Sequence, residues 1–153
     1  MKHDHSRIPL WVVDDSQEDQ LLMKAAMRDA KVPNPVSFIK DGQELLDRLR
    51  GGSEAQPGFI LMDLNMPRLG GKEALRQLRA DPLLGHLIVL IVSTSAFDQE
   101  VRECYRLGAN AVLVKPFDYE EFVTLLGATC GYWLKRVELP KPFPGAIAQE
   151  SGG

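Results

Sequence analysis

The chain has 153 residues, enough for one compact domain that buries about two thirds of the surface its unfolded form exposes. Its 18 basic and 21 acidic residues include no run of lysine or arginine, which argues against nucleic-acid binding. The polar start lacks a signal sequence, and no apolar stretch approaches the roughly 20 residues of a membrane helix. We therefore predict a cytoplasmic protein with neither nucleic acid nor membrane as a partner.

Five short apolar segments alternate with helical patterns along the chain. The segments are Leu10–Val13, Val36–Ile39, Phe59–Met62, Leu87–Val92 and Ala111–Val114. Strands that alternate with helices indicate βαβ crossovers and a parallel sheet. The pattern predicts an α/β fold with a doubly wound, five-stranded parallel sheet.

Five helices are predicted between and after these strands, and their ends carry recognisable stop signals. The first follows the capping signature of Ser16 and Asp19 and ends before Pro33. The others span about 42–50, a third stretch ending at Asp81, 98–107 and 119–137. We predict a flexible leader over residues 1–7, one domain over 8–139 and a Pro/Gly-rich extension over 140–153. The two cysteines are far apart and are predicted to be free thiols.

Polar side chains end four of the five predicted strands. They are Asp14 and Asp15 after the first strand, Asp63 after the third, Ser93 and Thr94 at the fourth, and Lys115 after the fifth. The carboxyl ends of the strands in such a sheet form the usual ligand-binding edge. Three carboxylates brought together repel one another unless a cation is bound, and oxygen ligands of this kind suit Mg²⁺.

Each of these residues also has an ordinary explanation when it is taken alone. An aspartate that ends a strand often caps the next turn, and a serine–threonine pair or a lysine before proline is common in surface turns. The joint occurrence at four strand ends favours a reactive site. With a metal bound, Asp63 is predicted to be the nucleophile that accepts a phosphoryl group.

These residues resemble the receiver domain of two-component response regulators, the CheY-like family with strand order 2-1-3-4-5. The resemblance covers about residues 8–133 and rests on motifs in the family's order: Val12-Val13-Asp14-Asp15-Ser16, Asp41-Gly42-Gln43-Glu44, Met62-Asp63-Leu64-Asn65-Met66-Pro67, Gly108-Ala109-Asn110-Ala111 and Lys115-Pro116-Phe117. It implies that Asp63 accepts a phosphoryl group from a sensor histidine kinase. It also implies that Asp14, Asp15, Asp63 and the backbone carbonyl of Asn65 hold Mg²⁺.

The resemblance further implies a switch beside the acceptor. Lys115 would pair with the phosphoryl oxygens and precede Pro116 through a cis bond, and the intervals place Ser93 rather than Thr94 at the family's hydroxyl position. Three residues before the lysine, where many relatives have Tyr or Phe, this chain has Val112. We therefore expect the signal to travel through the loop after Ser93 and the fourth helix.

The fifth helix carries more apolar surface than a single stripe provides. We predict that Val123, Leu126, Gly127, Cys130 and Leu134 form a homodimer face, with the alternative that the helix packs only on its own sheet. The segment 131–140 resembles the end of single-domain response regulators paired with bacteriophytochromes. That second resemblance implies such a kinase as partner and a dimer through the fourth helix, fifth strand and fifth helix, with a C-terminal arm.

The leading function is a phosphorylation switch that changes protein contacts or passes the phosphoryl group on in a relay, rather than an enzyme. A small Mg²⁺-dependent aspartyl-phosphate phosphatase is the enzymatic alternative. Such enzymes have a second aspartate two residues after the nucleophile, and this chain has Asn65 there. A phosphorylation-independent scaffold is the third possibility, but it predicts a broken acidic site.

Overall fold

The computed structural model describes residues 5–95 and 97–141, and five parallel strands form its central sheet. The strands are β1 (Leu10–Val13), β2 (Val36–Ile39), β3 (Phe59–Met62), β4 (Val89–Ser93) and β5 (Ala111–Val114). Their order is β2-β1-β3-β4-β5. This confirms the predicted fold class and strand order, and the fourth strand begins two residues later than predicted.

Five α-helices connect or follow these strands. They are α1 (Gln17–Asp29), α2 (Gly42–Gly51), α3 (Gly71–Ala80), α4 (Asp98–Arg106) and α5 (Tyr119–Gly131). The helical path continues beyond α5 as one π-helical turn, Tyr132–Arg136. Apolar periodicity cannot distinguish this turn from an α-helix, because it continues the same stripe of buried residues. No helix in the described part of the chain is long and apolar enough to cross a membrane.

Two apolar cores lie on opposite faces of the sheet, because successive side chains of a strand point to opposite sides. Trp11 and Val13 of β1 face α2, α3 and α4, whereas Leu10 and Val12 face α1 and α5. The central strands β1, β3 and β4 are buried on both sides, while β5 is an edge strand and partly exposed. Both cysteines are free and buried.

The packing of α5 corrects the predicted dimer face. Leu126, Cys130 and Leu134 are almost fully buried in the core between the sheet, α1 and α5. Val123 is half-buried against the same core, and Gly127 faces Ala30, the residue that caps the end of α1. The stripe that we assigned to a partner is therefore the stripe that covers the chain's own sheet.

The two ends of the described chain lie close together at the edge of the sheet where the strands begin. Part of the predicted leader, His5–Arg7, forms a 3₁₀ turn, and the Asn34 side chain donates hydrogen bonds to the carbonyls of His5 and Ile8. Leu139 packs into the core that includes Ile8. The predicted arm therefore stays on its own domain near Leu139, and residues 1–4 and 142–153 lie outside the described residues.

The described residues contain no cis peptide bond, so the expected cis bond between Lys115 and Pro116 is corrected to trans. The trans form is the lower-energy isomer of an X–Pro bond by about 0.5–1 kcal/mol.

Candidate functional site

A cavity of about 190 Å³ opens at the carboxyl ends of β1, β3, β4 and β5. The sheet register explains why distant residues meet there: Val13 pairs with Met62, so the next residues, Asp14 and Asp63, leave adjacent strands at the same level. The polar residues that line the cavity are Asp14, Asp19, Asp63, Asn65, Thr94 and Lys115. The structure thus brings together most of the residues that the strand-end pattern singled out.

Three carboxylates form the acidic part of this site. One oxygen from each of Asp14, Asp15 and Asp63 lies within 4.8 Å of the other two. Asp15 is exposed, Asp63 is half-buried and Asp14 is only 9% exposed. The set contains only hard oxygen donors, without imidazole or thiolate, which is the donor chemistry that Mg²⁺ prefers.

The carboxylates are held in an environment that disfavours their charge. Burial, followed by the negative charge of Asp14, raises the pKa of Asp63 to about 6. Burial also raises the pKa of Asp14, although the Ser16 backbone N–H, which donates to Asp14 Oδ1 at 2.9 Å, opposes that rise. A bound divalent cation would remove this repulsion, so the residues present fit a metal site.

Lys115 supplies a positive charge on the other side of the cavity. Its backbone N–H donates to the Ser93 carbonyl at 2.8 Å, which fixes the start of the loop after β5. Its ammonium lies 3.6 Å from Asp19 Oδ1 and 5.4 Å from the centre of the Phe122 ring. Sequence reasoning used Asp19 only as a helix-capping residue and missed its place in the site. Its position in the first turn of the helix that follows the Asp14–Asp15 pair was the available signal.

The two candidate hydroxyl groups differ in orientation. Ser93 is buried, and its Oγ accepts a hydrogen bond from the Ser95 backbone N–H at 3.1 Å. Thr94 is exposed and lines the cavity. In this conformation Thr94 is the hydroxyl residue at the cavity, while Ser93 holds the turn that follows β4.

Val112 is half-buried on β5 and packs against the core formed with α2, α3 and α4. Its backbone N–H, on the free edge of the strand, donates to the hydroxyl of Tyr105 on α4 at 3.2 Å. An aromatic side chain from α4 therefore contacts this strand position, although the strand itself provides only a valine.

Residues 10–127 match the family model described as the response regulator receiver domain. The chain belongs to the response regulator receiver domain family. Response regulators of red light signalling and of phytochromes are among the proteins that this chain resembles.

The crystal structure of RPA3017, a response regulator in red light signalling of R. palustris, is 31% identical and has a TM-score of 0.82, covering 88% of this chain and 99% of that one. The phosphorylated cyanobacterial phytochrome response regulator RcpA is 28% identical, with a TM-score of 0.80 and the same coverages. Response regulator Rcp1 of Synechocystis sp. is 27% identical over 86% of this chain and 92% of the relative. A Mn²⁺-bound structure of response regulator Rcp1 matches with 25% identity and a TM-score of 0.77, covering 87% of this chain and 99% of that one.

Proposed function

We propose that this receiver domain is a phosphorylation switch in which Asp63 accepts a phosphoryl group. The observation that carries the proposal is the convergence of Asp63, two further carboxylates and Lys115 on one open cavity. Asp63 is half-buried yet accessible through this cavity, so a carboxylate oxygen can reach a phosphorus atom presented from outside. At pH 7 a group with a pKa of about 6 is mostly ionised and therefore nucleophilic.

The donor is a phosphohistidine of a sensor histidine kinase. The Asp63 carboxylate attacks phosphorus, a new P–O bond forms and the P–N bond to the histidine breaks. The imidazole keeps the electron pair of that bond and takes up a proton. Lys115 is placed to balance the charge of the transferring oxygens, and Thr94 and Ser93 are the hydroxyl groups nearest to the end of β4.

Asp14, Asp15 and Asp63 would hold Mg²⁺, with the backbone carbonyl of Asn65 as a further ligand. When bound, the ion supplies positive charge that neutralises the carboxylates and the phosphoryl oxygens. The Mn²⁺-bound structure of Rcp1 supports a divalent ion in a relative of this fold.

Phosphorylation with a small donor tests the proposal. Incubation with acetyl phosphate and Mg²⁺ should add roughly 80 Da, as expected for a covalent phosphoryl group on a carboxylate nucleophile. Asp63→Asn should abolish the gain, whereas Asp47→Asn, which removes an exposed carboxylate on α2, should retain it. A gain that persists in Asp63→Asn would contradict the proposal, and no gain with any small donor or cognate kinase would favour the scaffold. If the protein hydrolyses added phosphomonoesters over many turnovers, that result would favour the phosphatase alternative.

A bacteriophytochrome is the kinase partner that the light-signalling relatives support. Phosphoryl transfer from an autophosphorylated bacteriophytochrome should label the wild-type chain faster than transfer from a histidine kinase of another sensor class. Equal rates from both kinases would contradict the pairing.

We also retain the homodimer as a proposal, now placed on α4 and β5. Tyr105 and Val114 are each about half exposed on these neighbouring elements, so apolar surface is available there. Val114→Glu should weaken a dimer measured by light scattering, while Leu21→Glu on α1 serves as the matched exposed control. Truncation after Leu134 is less informative, because it would also remove Leu139 from the core.

A further inference from the structure

A seven-residue segment, 64–70, connects Asp63 to α3 and carries Asn65 at the edge of the cavity. Leu64 is buried in the core, and Met66 and Leu69 pack against it, which anchors the apolar side of the segment. The polar side is held differently, by the first turn of α2. The Gly42 backbone N–H donates to the Leu69 carbonyl at 3.1 Å.

Arg68 makes the second polar connection to α2. Its Nε donates to Asp41 Oδ2 at 2.8 Å and its Nη2 donates to Asp41 Oδ1 at 3.1 Å. The Asp41 side chain is only 5% exposed, and Oδ1 also accepts from the Glu44 backbone N–H at 2.8 Å as the N-cap of α2. A bidentate pair fixes the direction of the guanidinium as well as its distance.

The backbone of Arg68 is unusual as well. Its φ is 65°, a left-handed conformation that costs a non-glycine residue energy. The strained backbone and the bidentate contact with a nearly buried carboxylate coincide at Arg68, and such strain is typical of positions with a functional role.

The segment also has little freedom to move as a whole. A Cβ added at Gly42 would lie 2.6 Å from the Leu69 carbonyl oxygen, and one added at Gly71 would lie 2.6 Å from the Asp63 carbonyl oxygen. The start of α2 therefore contacts the far end of the segment, while the start of α3 contacts the backbone of Asp63 itself. A displacement of residues 64–70 would reach both Asp63 and Asn65.

We propose that Arg68 is a positioning residue for the acidic site: its bidentate pair with Asp41 holds the segment 64–70 in the conformation in which Asp63 and Asn65 face the divalent cation together. This inference rests on the proposed function. The pair acts through the backbone, because neither Arg68 nor Asp41 lines the cavity.

Substitutions at the pair should weaken metal binding without disabling the acceptor. Arg68→Gly removes the fork and suits the positive φ, and Arg68→Gly combined with Asp41→Asn also removes the nearly buried unpaired charge while Asn can still cap α2. We expect both variants to bind Mn²⁺ roughly tenfold more weakly, as for residues that orient metal ligands. Arg68→Lys should also bind Mn²⁺ more weakly than the wild type, because a lysine cannot reproduce the planar fork of the guanidinium.

The decisive test measures metal affinity and the maximal rate of labelling separately. Mn²⁺ binding is measured by the paramagnetic resonance signal of the free ion, and acetyl phosphate labelling is measured against Mg²⁺ concentration. The variants should require about tenfold more Mg²⁺ for half-maximal labelling but should approach the wild-type rate at saturation. A merely structural pair would change the melting temperature and leave this Mg²⁺ midpoint unchanged.

Arg48→Gln is the matched control, since it breaks the bidentate pair with Glu54 at the other end of α2, away from the segment 64–70. It should leave the Mg²⁺ midpoint unchanged. If the wild-type chain binds Mn²⁺ and is labelled, and both Arg68 variants match its Mn²⁺ affinity, the positioning inference is overturned. If the wild-type chain itself neither binds Mn²⁺ nor is labelled, the proposed function fails instead.

Discussion

Arg79 and Asp63 are both half-buried charged groups, but their surroundings differ in kind. The Arg79 guanidinium donates five hydrogen bonds: two to the Gly108 carbonyl and one each to the Gly85 carbonyl, the Leu87 carbonyl and the Asn110 side chain. Asp63 lies beside two other carboxylates. Burial lowers the pKa of Arg79 and raises that of Asp63, so burial disfavours the charged form of both groups. All five N–H groups of the Arg79 guanidinium nevertheless donate hydrogen bonds, whereas Asp63 has like charges as neighbours.

The difference separates a charge that holds the fold together from a charge for which we propose a function. Arg79 joins the end of α3 to the segments that precede β4 and β5. Gly108 beside it has a φ of 109°, which favours glycine, and a Cβ there would lie 2.8 Å from the Arg79 side chain. The acidic cluster has no comparable compensation within the described residues. This uncompensated repulsion fits the proposed function, in which a divalent cation binds between the carboxylates.

Removing Arg79 should have the largest effect on stability. Arg79→Met keeps an unbranched apolar stem but leaves several partly buried acceptors without a donor, and we expect a loss of about 2–4 kcal/mol. Urea denaturation measures this loss. Arg76→Met is the matched control on α3, because Arg76 is exposed and its ion pair is with Glu73 on the same helix, so its effect should stay within about 0.5 kcal/mol. Equal losses of stability from the two substitutions would show that the hydrogen bonds of Arg79 have no special structural role.

The sequence predicts the acidic site far better than it predicts the role of Arg79. The acidic residues end apolar strands, and parallel strands bring their carboxyl ends to one edge. The partners of Arg79 are mostly backbone carbonyls, which every residue has, and Gly108 is 29 residues away along the chain. No residue type marks such partners, so the connection becomes visible only in three dimensions.

The same limit explains the error on α5. Apolar periodicity identified Leu126, Cys130 and Leu134 as a stripe, but hydrophobicity alone does not say what a stripe packs against. The structure places α1 and the sheet there. The pair of Arg68 and Asp41 was likewise invisible, since a capping aspartate and an arginine in a loop are both ordinary.

Neutralising Asp63 should change the stability less than removing Arg79 does, and it should raise the stability instead of lowering it. With its folded pKa of about 6 raised above the ordinary 3.8, the folded protein binds this proton more tightly than the unfolded chain. Wild-type stability therefore falls as pH rises from about 4 to 6, and the loss is complete above that window. In a metal chelator at pH 7, Asp63→Asn should raise stability by about 1 kcal/mol after allowance for solvent screening, or roughly 2–4 °C in Tm.

A pH series of melting curves checks the sign of this effect. The stability difference between Asp63→Asn and the wild type should grow between about pH 4 and 6 and stay constant above that range. Saturating Mg²⁺ should stabilise the wild type and reduce the difference. A variant that is less stable than the wild type in chelator at pH 7 would mean that Asp63 is compensated in the way that Arg79 is.

Asp14→Asn should give the smallest gain, about 0.5 kcal/mol in chelator at pH 7, because part of its burial cost is already offset. The Ser16 backbone N–H donates to Asp14 Oδ1, and the positive charge of Lys115 also opposes the rise in the pKa of Asp14, so the burial of this carboxylate is offset more than that of Asp63. Urea denaturation of the Asp14→Asn and Asp63→Asn variants shows which of the two gains more stability. A larger gain in stability from Asp14→Asn than from Asp63→Asn would place the main repulsion of the site at Asp14. Under the proposed function, Asp14→Asn should also bind Mg²⁺ more weakly, because it lacks one of the proposed carboxylate ligands.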